Sequence, residues 1–277
     1  MEPRTPVEIL AFAGDTGIVK TQRQTHVLLI LAFFAGAYIA ITAGCSNIAG
    51  YFFLAKPETY GLGKVLLGSA FSAALILIVI AGGELFTGNM LIIVSVMERR
   101  VAIRKMLRNW GLVYLGNFLG SILVVFMTYH SGLFNTSDGL LGGVTIKIAA
   151  SKLSLPFQSA FILGILCNWL VCLAVWLTYG VRDAAGKCIA IFFLMYIFVL
   201  SGFEHSIANM YYIPAGIMAA RNPQWVAMSN LSISQISRLT WANFITRNLF
   251  PVTLGNIIGG SCMVGILYWI ALRKKTP

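Results

Sequence analysis

Long apolar runs separated by short polar connections dominate this chain. Six of them, near 27–52, 64–97, 110–130, 157–180, 188–219 and 243–272, reach the roughly 20 residues that a helix needs to cross a hydrocarbon layer of about 30 Å. The second and fifth are too long for one simple crossing and carry Gly, Glu and Asn in the middle. Each therefore reads as two half-helices joined by irregular backbone, which is tolerated at membrane depth only where protein buries it or water lines it.

The breaks carry a repeat. Gly82, Glu84, Asn89 and Met90 spell G-x-E-x4-N-M, and Gly202, Glu204, Asn209 and Met210 spell it again. A second pattern, R-N-x5-L-G-N-x2-G, occurs at Arg108-Asn109, Leu115-Gly116-Asn117 and Gly120, and returns at Arg247-Asn248, Leu254-Gly255-Asn256 and Gly259. Two ordered motifs in two halves indicate an internal duplication. Three spans per half force the second copy to enter the membrane upside down, and inverted repeats place a substrate site at the interface of the halves, on discontinuous helices near the midplane. The expected architecture is an all-α polytopic membrane protein of six transmembrane helices in one domain, 27–272. Its repeats are 27–130 and 157–272, and its second and fifth helices are broken.

Composition supports the membrane assignment: 58% of 277 residues are hydrophobic and 10% charged, against about 25% charged in a soluble domain. The net charge of +11 could suggest nucleic acid, but its distribution follows the loops. Arg4, Lys20 and Arg23, then Arg99, Arg100, Arg104, Lys105 and Arg108, then Arg182 and Lys187, then Arg273, Lys274 and Lys275 all fall on one side. Under the positive-inside rule that side is cytoplasmic and holds both termini. The chain is thus expected in the cytoplasmic (inner) membrane, with lipid and not nucleic acid around it. Residues 1–26 lack the apolar core of a signal peptide. Val7, Ile9, Leu10, Phe12 and Ile18 suit a short amphipathic helix at the cytoplasmic surface, and 273–277 form a cytoplasmic tail. The five cysteines form no C-x-x-C and no cluster with histidine, so no metal, cofactor or disulfide frame is expected.

Nine carboxylates and three histidines, mostly scattered, with no H-E-x-x-H, Walker A or G-x-G-x-x-G, argue against an enzyme or a primary pump. What remains for a duplicated bundle is to let something through. Ionisable groups at the breaks cost several kcal/mol at the bilayer centre unless satisfied, and mark a pathway by default. Glu84 and Glu204 recur at one repeat position, which suggests that both accept hydrogen bonds from backbone amides freed at the breaks. His205 has no counterpart, since Leu85 stands in its place. Half-helix N-termini offering free N–H groups, together with a histidine, favour a small monovalent weak-acid anion. Thr87 either offers its hydroxyl opposite His205 or bonds its own backbone. Asn256 is grouped with these pore candidates. Phe71, Leu75, Leu85, Phe86, Val171 and Phe198 are the candidate apolar constrictions. Lys152, after a polar stretch at 131–150, snorkels to the headgroups on physical grounds alone.

G-x-E-L-F-T-G-N in span two, Cys167–Trp176 (CNWLVCLAVW) in span four, GFEHSIANM at 202–210 and PVTLGNIIGG at 251–260 together resemble the formate/nitrite transporter family over essentially the whole chain. The resemblance implies a homopentamer with one path per protomer and an aquaporin-like fold. It also implies His205 as the central pore histidine, Thr87 as its partner, Lys152 facing the outer vestibule, and the named apolar residues flanking the constrictions. The implied mechanism has the vestibule attract the anion, the constrictions penalise its charge, and a proton supplied at His205 let it pass as the neutral acid. FEHSIANMxxIP ending at Pro214, with Pro251, looks most like the formate channels. Nitrite or hydrosulfide transport on the same fold is the alternative, and a neutral-solute channel in which His205 only donates hydrogen bonds is another.

Overall fold

In a computed structural model, which describes residues 2–273, the chain is helical throughout its described length. Helix α1 (Pro6–Gln22) begins where Thr5 and Glu8 form a capping box with Pro6 at the first helical position. The Thr5 backbone amide holds the Glu8 carboxyl below the ordinary carboxylate range. The six spans follow. Helix α2 is Thr25–Leu54, and the second span divides into α3 (Pro57–Gly82) and α4 (Gly88–Met97). Helix α5 is Ile103–His130, and α6 (Leu140–Leu153) lies between the halves. Helix α7 is Phe157–Gly180, the fifth span divides into α8 (Ala184–Ser201) and α9 (Ser206–Ala219), and after α10 (Pro223–Ser229) the chain closes with α11 (Trp241–Leu272). The tail residues Lys274 and Lys275 lie outside the described residues.

The expected breaks are present and match. Gly82 (φ +89°) and Gly202 (φ +75°) take the left-handed conformation that ends α3 and α8, which a side chain would strain. In each half the third span also packs against the first through glycine. On Gly120 a Cβ would lie 2.0 Å from the Phe33 carbonyl oxygen, and on Gly259 it would lie 2.2 Å from that of Ile165. These glycines let α5 cross α2 and α11 cross α7 at backbone contact, which in lipid supplies association that apolar side chains alone do not.

The repeats are inverted: α2 starts beside α1, whereas α7 ends beside it, with the Arg4 N–H donating to the Gly180 carbonyl. Two connections depart from expectation. The stretch 131–150, read as a polar connection, contains α6, whose Val144, Thr145 and Ile146 are fully buried against α9. The polar residues of this stretch precede the helix, at 135–139, and masked the apolar run that follows them. Helix α1 is docked as well as surface-lying. Ile9, Leu10 and Ala13 are buried, Val7 and Phe12 are exposed, and Ser95 Oγ donates to the Gly14 carbonyl at 2.7 Å.

Candidate functional site: a polar junction between two cavities

Each break is held by one side-chain amide on the glycine-crossed helix. Asn117 Oδ1 accepts from the Phe86 N–H at 2.9 Å, and its Nδ2 donates to the carbonyls of Glu84 (2.9 Å) and Ala32 (2.7 Å). Asn256 repeats this: Oδ1 accepts from the Ser206 N–H at 2.9 Å, and Nδ2 donates to the carbonyls of Glu204 (3.0 Å) and Gly164 (2.8 Å). The backbone N–H groups of Glu84 and Glu204 donate across to Leu31 and Leu163. The freed backbone is thus satisfied by asparagines, not by the carboxylates as the sequence suggested.

The carboxylates instead anchor two matching side-chain clusters. Glu84 accepts from Asn89 Nδ2 (2.7 Å) and Lys20 Nζ (2.8 Å), with Arg23 Nε 3.2 Å from its other oxygen. Asn89 also donates to Asn109, whose Nδ2 donates to the Lys20 carbonyl. In the second half Glu204 accepts from Asn209 Nδ2 (2.6 Å) and Lys152 Nζ (2.7 Å). Asn209 donates to Asn248, and Asn248 donates to the Lys152 carbonyl. A buried carboxylate with this many donors is compensated, which is what permits it at this depth. Lys152 therefore does not snorkel. Its equivalent is Lys20, each lying five residues before the first residue of a repeat's first span, so α1 and α6 are themselves repeat partners. That spacing was the available sequence signal for Lys20, which was read only as a topology charge.

His205 caps α9, its Nδ1 accepting from the Ala208 N–H at 3.0 Å. This fixes the tautomer: the ring proton is on Nε2, which lies 2.9 Å from Thr87 Oγ1 and donates to it. Thr87 is oriented through its carbonyl, which accepts from Asn168 Nδ2 and the Cys172 thiol. Its hydroxyl does not bond its own backbone. The free row of N–H groups expected at the half-helix start is largely occupied, since those of Ser206, Ala208 and Asn209 all have partners.

This junction separates two cavities. The one away from α1, termed outer for its position relative to that helix, is about 270 Å³ and is lined by Phe71, Lys64, Lys147, Lys152, Phe198, Glu204 and His205 among others. The inner one, about 240 Å³, includes Lys20, Arg23, Leu75, Glu84, Leu85 and Val175. Phe71 and Phe198 meet edge to face, centroids 5.6 Å apart, and Phe198 lies 5.9 Å from the His205 ring. Leu75 and Leu85 sit on the inner side of Thr87. Phe86 packs on Trp110 and Tyr114, and neither it nor Val171 lines either cavity. Lys64 and Lys147, absent from the sequence-derived candidates, join the outer wall. Among the described residues no cluster suited to a metal occurs.

Comparison with known proteins is decisive. The family model for "Formate/nitrite transporter" matches residues 7–270. The chain belongs to the formate/nitrite transporter family. Within it, the chain is 38% identical to "Formate channel FocA" of Escherichia coli (strain K12), over 98% of this chain and 95% of that one. It is equally identical to "Uncharacterized transporter YrhG" of Bacillus subtilis (strain 168), over the same shares. Among solved structures, a "Pentameric formate channel with formate bound" superposes with a TM-score of 0.79 at 39% identity, covering 89% of this chain and 97% of its own. As in this family, the six spans make a multi-pass membrane protein whose work is transport.

Proposed function

We propose that this chain is a formate channel of the cytoplasmic membrane, assembled as a homopentamer with one path in each protomer. The observation that carries the reading is the buried His205–Thr87 hydrogen bond between two cavities walled by compensated lysine–carboxylate pairs, in a chain closely similar to formate channels. The basic loops that share a face with α1 support placing both termini in the cytoplasm.

In this reading an anion gathers in a vestibule near Lys152 or Lys20, and the apolar collars of Phe71 and Phe198 outside, and Leu75 and Leu85 inside, disfavour its charge. It passes the junction by replacing the bond between His205 Nε2–H and Thr87, both of which then serve as donors to a carboxylate. Protonation makes the crossing cheaper, because formic acid is neutral. Because Nδ1 is engaged as the α9 cap, delivery of a proton from His205 requires protonation at Nδ1 and loss of that cap. The test is uptake of labelled formate into proteoliposomes at pH 5.5 and 7.5, beside nitrite, hydrosulfide and glycerol. Fast formate flux rising at the lower pH is expected. Flux of nitrite or hydrosulfide alone replaces the substrate, and glycerol flux without anion flux overturns the reading.

A further inference from the structure

The inner cavity has a side cleft that the pore reading does not use. On the face that carries α1, that cavity is walled by Thr16, Val19, Lys20 and Arg23, whose two cations are directed at Glu84. A second cleft, of about 490 Å³, lies beside it between the N-terminal segment and the turn joining α7 to α8, and carries Arg4, Arg182 and Lys187. The two spaces share three wall residues, Val79, Thr178 and Tyr179. Arg4 holds one wall of the cleft in place: its N–H donates to the Gly180 carbonyl, its guanidinium to that of Tyr179, and its Cζ lies 4.1 Å from the Phe12 ring centroid.

The cleft's lining carries three cations and no carboxylate. Among the described residues none of Arg4, Arg182 and Lys187 has a carboxylate within salt-bridge distance. Two acids lie near it outside the lining, Glu8, which holds the Thr5 capping box and feels Arg182 and Arg4 through space, and Asp183, which accepts from the Gly186 N–H at 2.6 Å; the cleft keeps an excess of one positive charge over them. By contrast the cations on the inner cavity wall are paired with Glu84. A water-open cleft lined by one sign of charge concentrates the opposite sign.

We propose that this cleft is the side portal by which a small monovalent carboxylate enters and leaves the inner cavity, with Arg182 and Lys187 as the collecting charges. The proposal rests on the formate reading above. It places the route beside α1 instead of through it, past Val79, Thr178 and Tyr179, so that α1 stays docked during transport.

The test is zero-trans formate flux from each face of the full-length protein, in right-side-out and everted vesicles at equal pH and zero voltage. It compares wild type with Arg182→Gln/Lys187→Gln, Arg182→Glu/Lys187→Glu and the conservative Arg182→Lys/Lys187→Arg. Loss of both charges is expected to raise half-saturation for entry from the α1 face about fivefold at constant maximal flux. A passive path must have equal low-concentration permeability in both directions. For entry from the other face, half-saturation therefore stays and maximal flux falls by the same factor. Charge reversal enlarges both effects, the conservative pair retains wild-type values, and added salt narrows the differences. Wild-type behaviour of the charge-reversed variant overturns the portal, as does a change of half-saturation at the opposite face. An effect present only in vesicles containing anionic phospholipid also overturns it, assigning the cations to lipid headgroups. A wild-type protein that moves no formate from either face refutes the formate reading itself, a result distinct from all of these.

Discussion

Replacing Asn117 or Asn256 with leucine tests what holds the broken helices. Leucine keeps the number and branching of heavy side-chain atoms and the helix, so the change removes the amide's hydrogen bonds at the cost of the extra bulk of two methyls. In Asn117→Leu the Phe86 N–H and the Glu84 carbonyl lose the partner that Asn117 supplies, while the Ala32 carbonyl lies within α2 and keeps a place in its ladder. An unsatisfied buried backbone group costs about 1–3 kcal/mol, so two of them predict a loss of roughly 2–6 kcal/mol. Asn256→Leu strands the Ser206 N–H and the Glu204 carbonyl in the same way and should cost the same. A competing expectation comes from interhelical hydrogen bonds in membranes, which average about 0.6 kcal/mol because the separated helices find other partners. Here the groups lie in irregular backbone, where no helical ladder replaces the bond. Unfolding of the purified protein in mixed micelles titrated with SDS measures both variants. If either loses no more than about 0.6 kcal/mol, the asparagines are dispensable and the breaks are held by packing.

Three further outcomes follow from the same contacts. Lys152→Met leaves the Glu204 carboxylate buried with only amide donors and should cost on the order of 3–5 kcal/mol; adding Glu204→Gln should restore most of the stability, measured by the same titration. His205→Ala removes both the cap of α9 and the bond to Thr87, at about 1 kcal/mol for the cap. His205→Asn can still cap, so it should be more stable than His205→Ala, while both variants should show altered pH dependence and selectivity of formate flux. Gly120→Ala and Gly259→Ala force backbones apart at the two crossings and should each reduce the yield of folded protein on size-exclusion chromatography, whereas Gly111→Ala, with open space at its Cβ, should not.

Much of this architecture was legible because hydropathy and duplication register act over many residues at once. The broken second and fifth spans, Gly82 and Gly202 at their ends, and the recurrence of Asn117 and Asn256 at one repeat position follow from spacing, whereas Asn256, grouped with the pore candidates, proves to hold the backbone of a break. Partner choice was less accessible. Glu84 looked like a cap for freed amides, but its donors come from Lys20, far away in sequence, and from Asn89, in the first turn of α4. Helix α6 was hidden because it follows a polar stretch and is too short to cross a membrane, and because Thr145 and the glycines 142 and 143 stand among its buried residues. Lys64 and Lys147 were not among the candidates, since nothing local marks which lysines face a cavity.

The order of the paired charges also bears on how the protein is made. In each half the cation is synthesised before its acid, Lys20 sixty-four residues ahead of Glu84 and Lys152 fifty-two ahead of Glu204. A lone carboxylate at mid-membrane costs about 2.5–3.5 kcal/mol during insertion, and a lysine already waiting at the entry of the same repeat can meet it as it arrives. The Arg4 tether to Tyr179 and Gly180 spans 175 residues and cannot close until the fourth span has emerged. The nascent chain thus settles its buried charges early, half by half, and fastens its first helix only after most of the bundle stands.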